Sequence, residues 1–223
     1  RQVRYQWLTE IARSEGYDYI SVAHHKDDQA ESILAHIIRG SGLNGLTGMS
    51  VVQSEYAIPV VRPLLDVTKE NLLAYIGTKQ ISYCVDSTND DVRYQRNRIR
   101  HRIIPELEAV NPAVVDAIVR LGSSVNEDVM VISDLTARTF DKLVSIGKDE
   151  VRISRRALRQ EPLAIQRRLW QRLVSTIDPE LMLTSAHQEQ LLDIVNTGEK
   201  KTFTIKSIKV IAQCDTIKVY CKH

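Results

Sequence analysis

The order in which hydrophobic periods follow one another early in the chain constrains the fold more than any other feature. Val3, Trp7, Leu8, Ile11 and Ala12 recur at helical spacing over residues 2–15, and Gly16 closes the pattern. A short run rich in β-formers, Tyr19 to Ala23, reads as a buried strand. The period then becomes helical again: Ala30, Ile33, Leu34, Ile37 and Ile38 predict a helix over about 28–39 with that face buried. Residues 57–62 read as a second strand, with Pro59 near its start where a missing donor is tolerated. A further helix is predicted over 68–79, burying Leu72, Leu73 and Ile76. Helices alternating with apolar strands predict a parallel sheet covered on both faces, so this part of the chain is expected to be part of an α/β domain.

From Asn111-Pro112, a helix start with an N-cap and a first-turn proline, the character changes to all-helical. Ile118, Leu121, Val125, Val129, Ile132, Leu135 and Leu143 mark one or two long amphipathic helices. Leu163, Leu169, Trp170, Leu173 and Val174 mark another, and Leu191, Leu192 and Val195 a fourth, capped near Ser185 and ended at Gly198. Over 201–221 the period becomes two, at Phe203, Ile205, Ile208, Val210, Ala212, Ile217, Val219 and Cys221, which predicts short antiparallel strands. The expected division is therefore an α/β domain over 1–108 and a mostly helical domain with terminal strands over 109–223.

Lys and Arg outnumber Asp and Glu by 30 to 28, so net charge alone neither favours nor excludes a nucleic-acid partner. Local distribution carries more. Five arginines lie between Arg93 and Arg102, beside Asp86, Asp90 and Asp91, and seven lie between Arg152 and Arg172. Either group can be a solvated face or a grip on phosphate, which guanidinium meets bidentately. The three cysteines, Cys84, Cys214 and Cys221, have no C-x-x-C spacing, which indicates neither a zinc site nor a disulfide framework and fits a reducing cytoplasm. No apolar run approaches the roughly 18 residues needed to span a bilayer, and no signal peptide opens the chain.

The densest chemistry lies between residues 23 and 49. On the helix expected there, Asp28, Glu31, Ser32, Ala35 and Arg39 share the face opposite the apolar one, so two carboxylates project together from a first turn that follows a strand. Open α/β sheets place ligands at such strand ends. Asp28-x-x-Glu31 also resembles a capping pair, favoured at a helix N-terminus by about 0.3–1 kcal/mol per acid. Spacing alone leaves both readings open, although neither acid has a base four positions on and a histidine pair precedes them. Gly40-Ser-Gly42-Leu-Asn-Gly45 formally matches a dinucleotide fingerprint, but it follows a helix instead of a strand. Gly40 is better read as a helix C-terminal cap, and Gly42, Gly45 and Gly48 as a loop.

His24-His25-Lys26-Asp27-Asp28-Gln29-Ala30-Glu31, followed by Arg39-Gly40-Ser41-Gly42 and Gly45-Leu46-Thr47-Gly48-Met49, resembles the signature of the tRNA(Ile)-lysidine synthetases, N-type ATP pyrophosphatases of the PP-loop group. Arg1-Gln2-Val3-Arg4-Tyr5, Arg62-Pro63-Leu64-Leu65, Asp86-Ser87-Thr88-Asn89, Arg96-Asn97-Arg98-Ile99-Arg100, Ile104-Pro105 and Asn111-Pro112 resemble further motifs of that family in the same order. The resemblance covers about the first 112 residues and implies an adenine-nucleotide alpha-hydrolase-like domain, here partial. It implies ATP-dependent ligation of L-lysine to C2 of the wobble cytidine of a tRNA(Ile) with a CAU anticodon, through an adenylated base, changing its reading from AUG to AUA. Mg2+ would assist. By matched position, Asp28, Glu31, Arg96 and His25 would be catalytic and Arg1, Arg4, His25 and Arg96 would meet ATP. Asp28 and Glu31 would hold lysine, and Arg39, Arg93, Arg98, Arg100 and Arg102 would meet tRNA.

No metal-binding cluster of the protein's own is expected, and a homodimer is compatible with the resemblance. The family's Ser-Gly-Gly-x-Asp-Ser phosphate loop occurs nowhere in these 223 residues. They are therefore expected to be a piece of a longer protein and inactive alone. The rival expectations are another PP-loop tRNA-modifying enzyme, such as a thiolating one, and a non-catalytic tRNA-binding remnant.

Overall fold

The structure is a computed structural model that describes residues 2–54, 56–84, 93–148, 150–197 and 200–221. The chain divides into two compact units, Arg1–Val129 and Met130–His223.

The first unit opens with α1, Gln2–Ser14, followed by β1, Ile20–Ser21, and α2, Lys26–Ile38. A short α3, Leu43–Leu46, lies in the glycine-rich loop; β2, Val52–Gln53, β3, Val60–Val61, and α4, Lys69–Thr78, follow. The three strands form one sheet in the order β1-β3-β2. β1 and β3 run parallel, pairing Ile20 with Val60 and Ser21 with Val61, as the helix-strand alternation predicts. β2 pairs antiparallel with β3, an edge strand that the sequence pattern did not mark. A small core of Tyr5, Ala12, Ile20 and Val60 joins α1 to this sheet, with the Tyr5 and Tyr56 rings stacked 5.0 Å apart. The strands are shorter than expected, and Tyr19 is exposed, so of the 19–23 run Ile20 is buried in the core and Val22 packs partly buried against it. Arg62 is fully buried because its guanidinium donates to Ser50 O at 2.8 Å and to Gln53 Oε1 at 2.7 Å, fastening β2 beside β3.

Beyond α4, α5 covers Gln95–Arg98, a π-helical turn covers Ile99–Ile103, α6 covers Ile104–Val110 and α7 covers Val114–Leu143. Gly122 of α7 packs tightly on α2 and α3: a Cβ there would lie 2.7 Å from Ile33 Cδ1 and 3.2 Å from Leu46 O. The unit boundary falls inside α7. The Asp86-Ser87-Thr88-Asn89 motif lies outside the described residues.

The second unit holds β4, Val144–Ile146, β5, Val151–Ser154, α8, Arg155–Gln160, α9, Leu163–Ile177, and α10, Ser185–Asn196. β6, Lys201–Ile205, β7, Ile208–Gln213, and β8, Thr216–Cys221, complete it. The expected terminal meander is present, and it is larger than the sequence pattern indicated. β5 pairs with β8 and β4 with β5, giving a five-stranded antiparallel sheet in the order β4-β5-β8-β7-β6. α9 and α10 bury Leu169, Trp170, Leu173, Leu191 and Val195 against Ile153, Ile208, Val210, Ile217 and Val219. Arg155 is 4% exposed and donates to Val195 O and Thr197 O, carbonyls left open at the end of α10, and to Cys214 O in the β7–β8 turn.

Candidate functional site

The chain leaves the sheet at Ser21, and α2 starts after His25, which stands extended at the N-cap (φ −125°, ψ −179°). The His25 N–H donates to Asp28 Oδ2 at 3.0 Å, so Asp28 caps the helix with His25 and not with Glu31, the pair its spacing had suggested. The His25 ring nitrogens stand 3.2 Å from Asp27 Oδ2 and 3.4 Å from Asp28 Oδ2. Asp27 turns elsewhere: its Oδ2 accepts the Lys69 N–H, in the first turn of α4, at 2.8 Å. Contact with the His25 side chain, opposed by partial burial and aided by that N–H, pulls the Asp27 carboxyl down to about 2.

Capping is only part of what Asp28 does. Asp28 is 7% exposed and Glu31 1%, so both carboxylates, expected to project from the face opposite the apolar one, are inside the protein. The expected burial of Ile37 and Ile38 also fails at the far end of α2, where they are 48% and 54% exposed. The reason is a pair of cations more than sixty residues away in sequence. From α5, Arg96 Nε donates to Glu31 Oε2 at 2.8 Å and its terminal nitrogen to Asp28 Oδ1 at 2.7 Å. From the π-helical turn, Arg100 Nε donates to Glu31 Oε1 at 2.5 Å, and its terminal nitrogen reaches Asp28 Oδ1 and Glu31 Oε2, both at 3.0 Å. Two guanidiniums four positions apart face one side of their helix and match two carboxylates three apart on α2. Buried ions are tolerated only when paired and hydrogen-bonded, and here the charges balance. Burial opposes the Arg100 charge, but Glu31 and then Asp28 outweigh it and hold that guanidinium above its ordinary range.

The glycine-rich loop is fastened to the same helix. Gly40, at φ +71°, closes α2: its N–H meets Ile37 O and the Ser41 N–H meets His36 O, the paired bonds of a Schellman end. Further on, the Gln29 amide accepts the Met49 N–H at 2.6 Å and donates to Met49 O at 3.0 Å. Gly48 makes this possible, because it sits at φ +72° and a Cβ on it would lie 2.7 Å from the Gln29 amide.

These elements enclose an open cavity of about 620 Å³ whose walls include Arg4, His24, Glu31, Arg39, Tyr94 and Arg96. Three cations and one paired carboxylate facing a cavity suit an anionic ligand that carries or meets a cationic group. Of the residues expected to meet ATP, Arg4 and Arg96 are on this wall, His25 is behind it against Asp27 and Asp28, and Arg1 lies outside the described residues. Of those expected to meet tRNA, Arg39 is on the wall, while Arg93, Arg98 and Arg102 are exposed. Arg100 is committed to the carboxylates. His24 and Tyr94 were not singled out by sequence; the signal available was their adjacency to His25 and to the arginine cluster. Among the described residues no group of three or more His, Cys, Asp or Glu side chains could hold a metal ion, and both site carboxylates are filled by arginine. No protein-built Mg2+ cage is present among them. In the second unit, Arg155, Arg156 and Arg159 border a separate cavity of about 420 Å³.

No helix among the described residues is long and apolar enough to cross a membrane. Residues 1–107 match the model of the PP-loop domain. The chain is 40% identical over 120 residues to a tRNA(Ile)-lysidine synthase of Porphyromonas gingivalis, covering 54% of this chain and 26% of that protein. It is 31% identical over 201 residues to the Bacillus subtilis tRNA(Ile)-lysidine synthase, 89% of this chain and 43% of the relative. With the Caldanaerobacter subterraneus protein of the same name it shares 30% identity over 222 residues, 99% of this chain and 46% of the relative. The chain thus spans less than half the length of these relatives. Residues 1–107 are thus similar to the PP-loop domain, and most of the chain is similar to part of the tRNA(Ile)-lysidine synthases.

Proposed function

We propose that this chain contributes the lysine-accepting part of an ATP-dependent enzyme that joins L-lysine to the wobble cytidine of a tRNA(Ile) with a CAU anticodon. The observation that carries the reading is the pair Asp28 and Glu31, held together by Arg96, with Glu31 on the wall of a cavity otherwise edged by Arg4, Arg39 and Arg96. The names of the relatives and the PP-loop match supply the reaction class.

In the first step the C2 carbonyl oxygen of the base attacks the α-phosphorus of ATP and pyrophosphate leaves. Charge builds on the α-phosphate oxygens, and preorganised guanidiniums stabilise it at no cost in reorganisation; Arg4 and Arg96 stand where they can do so. In the second step lysine enters as a cation and must lose a proton before its ε-nitrogen can attack C2. Asp28 and Glu31 first bind the ammonium and then accept that proton, and AMP carries away the bond electrons. The loop fastened at Met49 limits water at the adenylate. The exposed Arg93, Arg98 and Arg102, with the helical part over 109–223, hold the RNA by its phosphates. A thiolating enzyme would need paired cysteines at the nucleotide, and the described cavity walls carry none.

The test is incorporation of labelled lysine into a CAU-anticodon tRNA(Ile) transcript by the intact protein. Stoichiometric release of AMP and pyrophosphate with lysine bound to the RNA is expected. ATP-dependent labelling by sulfur and not by lysine would replace this reading with the thiolating one.

A further inference from the structure

The carboxylates assigned to lysine are already occupied. Asp28 Oδ1 accepts from both Arg96 and Arg100, and Oδ2 accepts the His25 N–H. Glu31 Oε2 accepts from both arginines, and Oε1 accepts from Arg100. Six of the roughly eight lone-pair positions of two carboxylates are thus filled. An ammonium brings three donors that must all be met when it is buried. It also brings a third positive charge to a cluster in which two guanidiniums already balance two carboxylates.

The two arginines are not equivalent. Arg100 makes three of the five bonds, and its side chain is 23% exposed; Arg96 makes two, and its side chain is 47% exposed and lies on the cavity wall. If one cation leaves, Arg96 is the one with fewer bonds to break and somewhere to go.

We infer that Arg96 occupies the lysine ammonium position in the substrate-free protein and yields it when a nucleotide phosphate enters the cavity, while Arg100 stays as the positioning residue for both carboxylates. This deepens, and rests on, the reading of Asp28 and Glu31 as the lysine site. The exchange keeps charge balanced at both ends: Arg96 passes from a carboxylate to a phosphate, and the ammonium replaces it. Nucleotide and lysine therefore bind with positive coupling, and linkage requires each to tighten the other by the same factor. Lysine is therefore held tightly at the reacting centre only when there is an adenylyl donor to use it.

The experiment is calorimetric titration of the intact protein with lysine, alone and saturated with a non-hydrolysable ATP analogue. Lysine is expected to bind about tenfold or more tightly in the presence of the analogue, within the usual range of coupling between sites. Arg96→Gln should abolish the dependence, with lysine binding the nucleotide-free variant as tightly as it binds the analogue-saturated wild type. Arg96→Lys keeps a cation without the fork and should leave a reduced coupling, which guards against a folding defect in the glutamine variant. Arg100→Lys should weaken lysine binding with the nucleotide dependence retained. Equal lysine affinity in the wild type with and without the analogue, combined with loss of lysine binding in Glu31→Gln, overturns the exchange and leaves the lysine site standing. Lysine binding that survives both Glu31→Gln and Asp28→Asn, or no lysine binding in either state of the wild type, overturns the lysine-site reading itself.

Discussion

Arg100→Ala is the substitution that most directly probes the buried charge cluster. It removes three hydrogen bonds, at 2.5, 3.0 and 3.0 Å, from carboxylates of which Glu31 is 1% exposed. Hydrogen bonds to charged groups contribute about 1.5–3 kcal/mol each, and a simple sum would overstate the loss because Arg96 remains and water can follow through the cavity. Removal of one partner from a buried ion pair costs about 3–5 kcal/mol, mainly through the charge left behind, and that is the better figure here. For a unit of this size the midpoint of thermal unfolding should fall by roughly 10–15 °C. Glu31→Ala alone should be similarly harmful, and the double variant much less so than the sum, with a coupling of about 2 kcal/mol or more in a double-mutant cycle. Circular dichroism with denaturant titration reads all three. Arg100→Ala within about 0.5 kcal/mol of the wild type would place that side chain in solvent and refute the cluster.

Other positions give independent expectations. Gly40 and Gly48 both have φ near +70°, but a Cβ meets nothing within 4 Å at Gly40 and lies 2.7 Å from the Gln29 amide at Gly48. Gly40→Ala should cost about 1 kcal/mol from backbone strain alone, and Gly48→Ala at least about 1 kcal/mol more, measured by chemical denaturation. The Asp27 carboxyl, held at about 2 against an ordinary 3.8, contributes stability at pH above its unfolded value, and this is lost as pH falls from about 4 towards 2. Its side chain is 33% exposed, so after solvent screening the contribution is about 1 kcal/mol; Asp27→Asn should lose that at pH 7 and progressively less as the pH falls through the folded-state value. In the second unit Leu169 is wholly buried in the core, and Leu169→Ala should cost about 2–5 kcal/mol, read by Trp170 fluorescence, while leaving the α2 cluster intact.

What sequence could supply depended on how far apart in the chain the cause and its effect lie. The parallel β1-β3 pair, the Gly40 end of α2 and the terminal meander were legible because local periods and turn residues determine them. The burial of Asp28 and Glu31 was not. Helical spacing put them on the face opposite Ile33 without saying what they meet there, and only Arg96 and Arg100, 65 to 72 positions on, make burial possible. No period within α2 carries that information. The motif resemblance did point to the right neighbourhood, since Arg96, Asp28 and Glu31 belong to matched segments, but it assigned Arg100 to RNA and said nothing of the ion pairs. β4 and β5 were missed for a different reason. Val151-Arg-Ile-Ser alternates buried and exposed as a strand should, yet four residues inside an arginine-rich stretch are too few to establish a period.

In the proposed mechanism Asp28 and Glu31 serve the lysine step and not the adenylation step. The most direct measurement separates the two half-reactions in Glu31→Gln of the intact protein, with its fold checked by circular dichroism. ATP-dependent, tRNA-dependent pyrophosphate release should persist while lysine transfer to the RNA falls by about a hundredfold or more, the scale of removing a general base. Lysine transfer at the wild-type rate, or pyrophosphate release lost in step with it, would contradict the assignment.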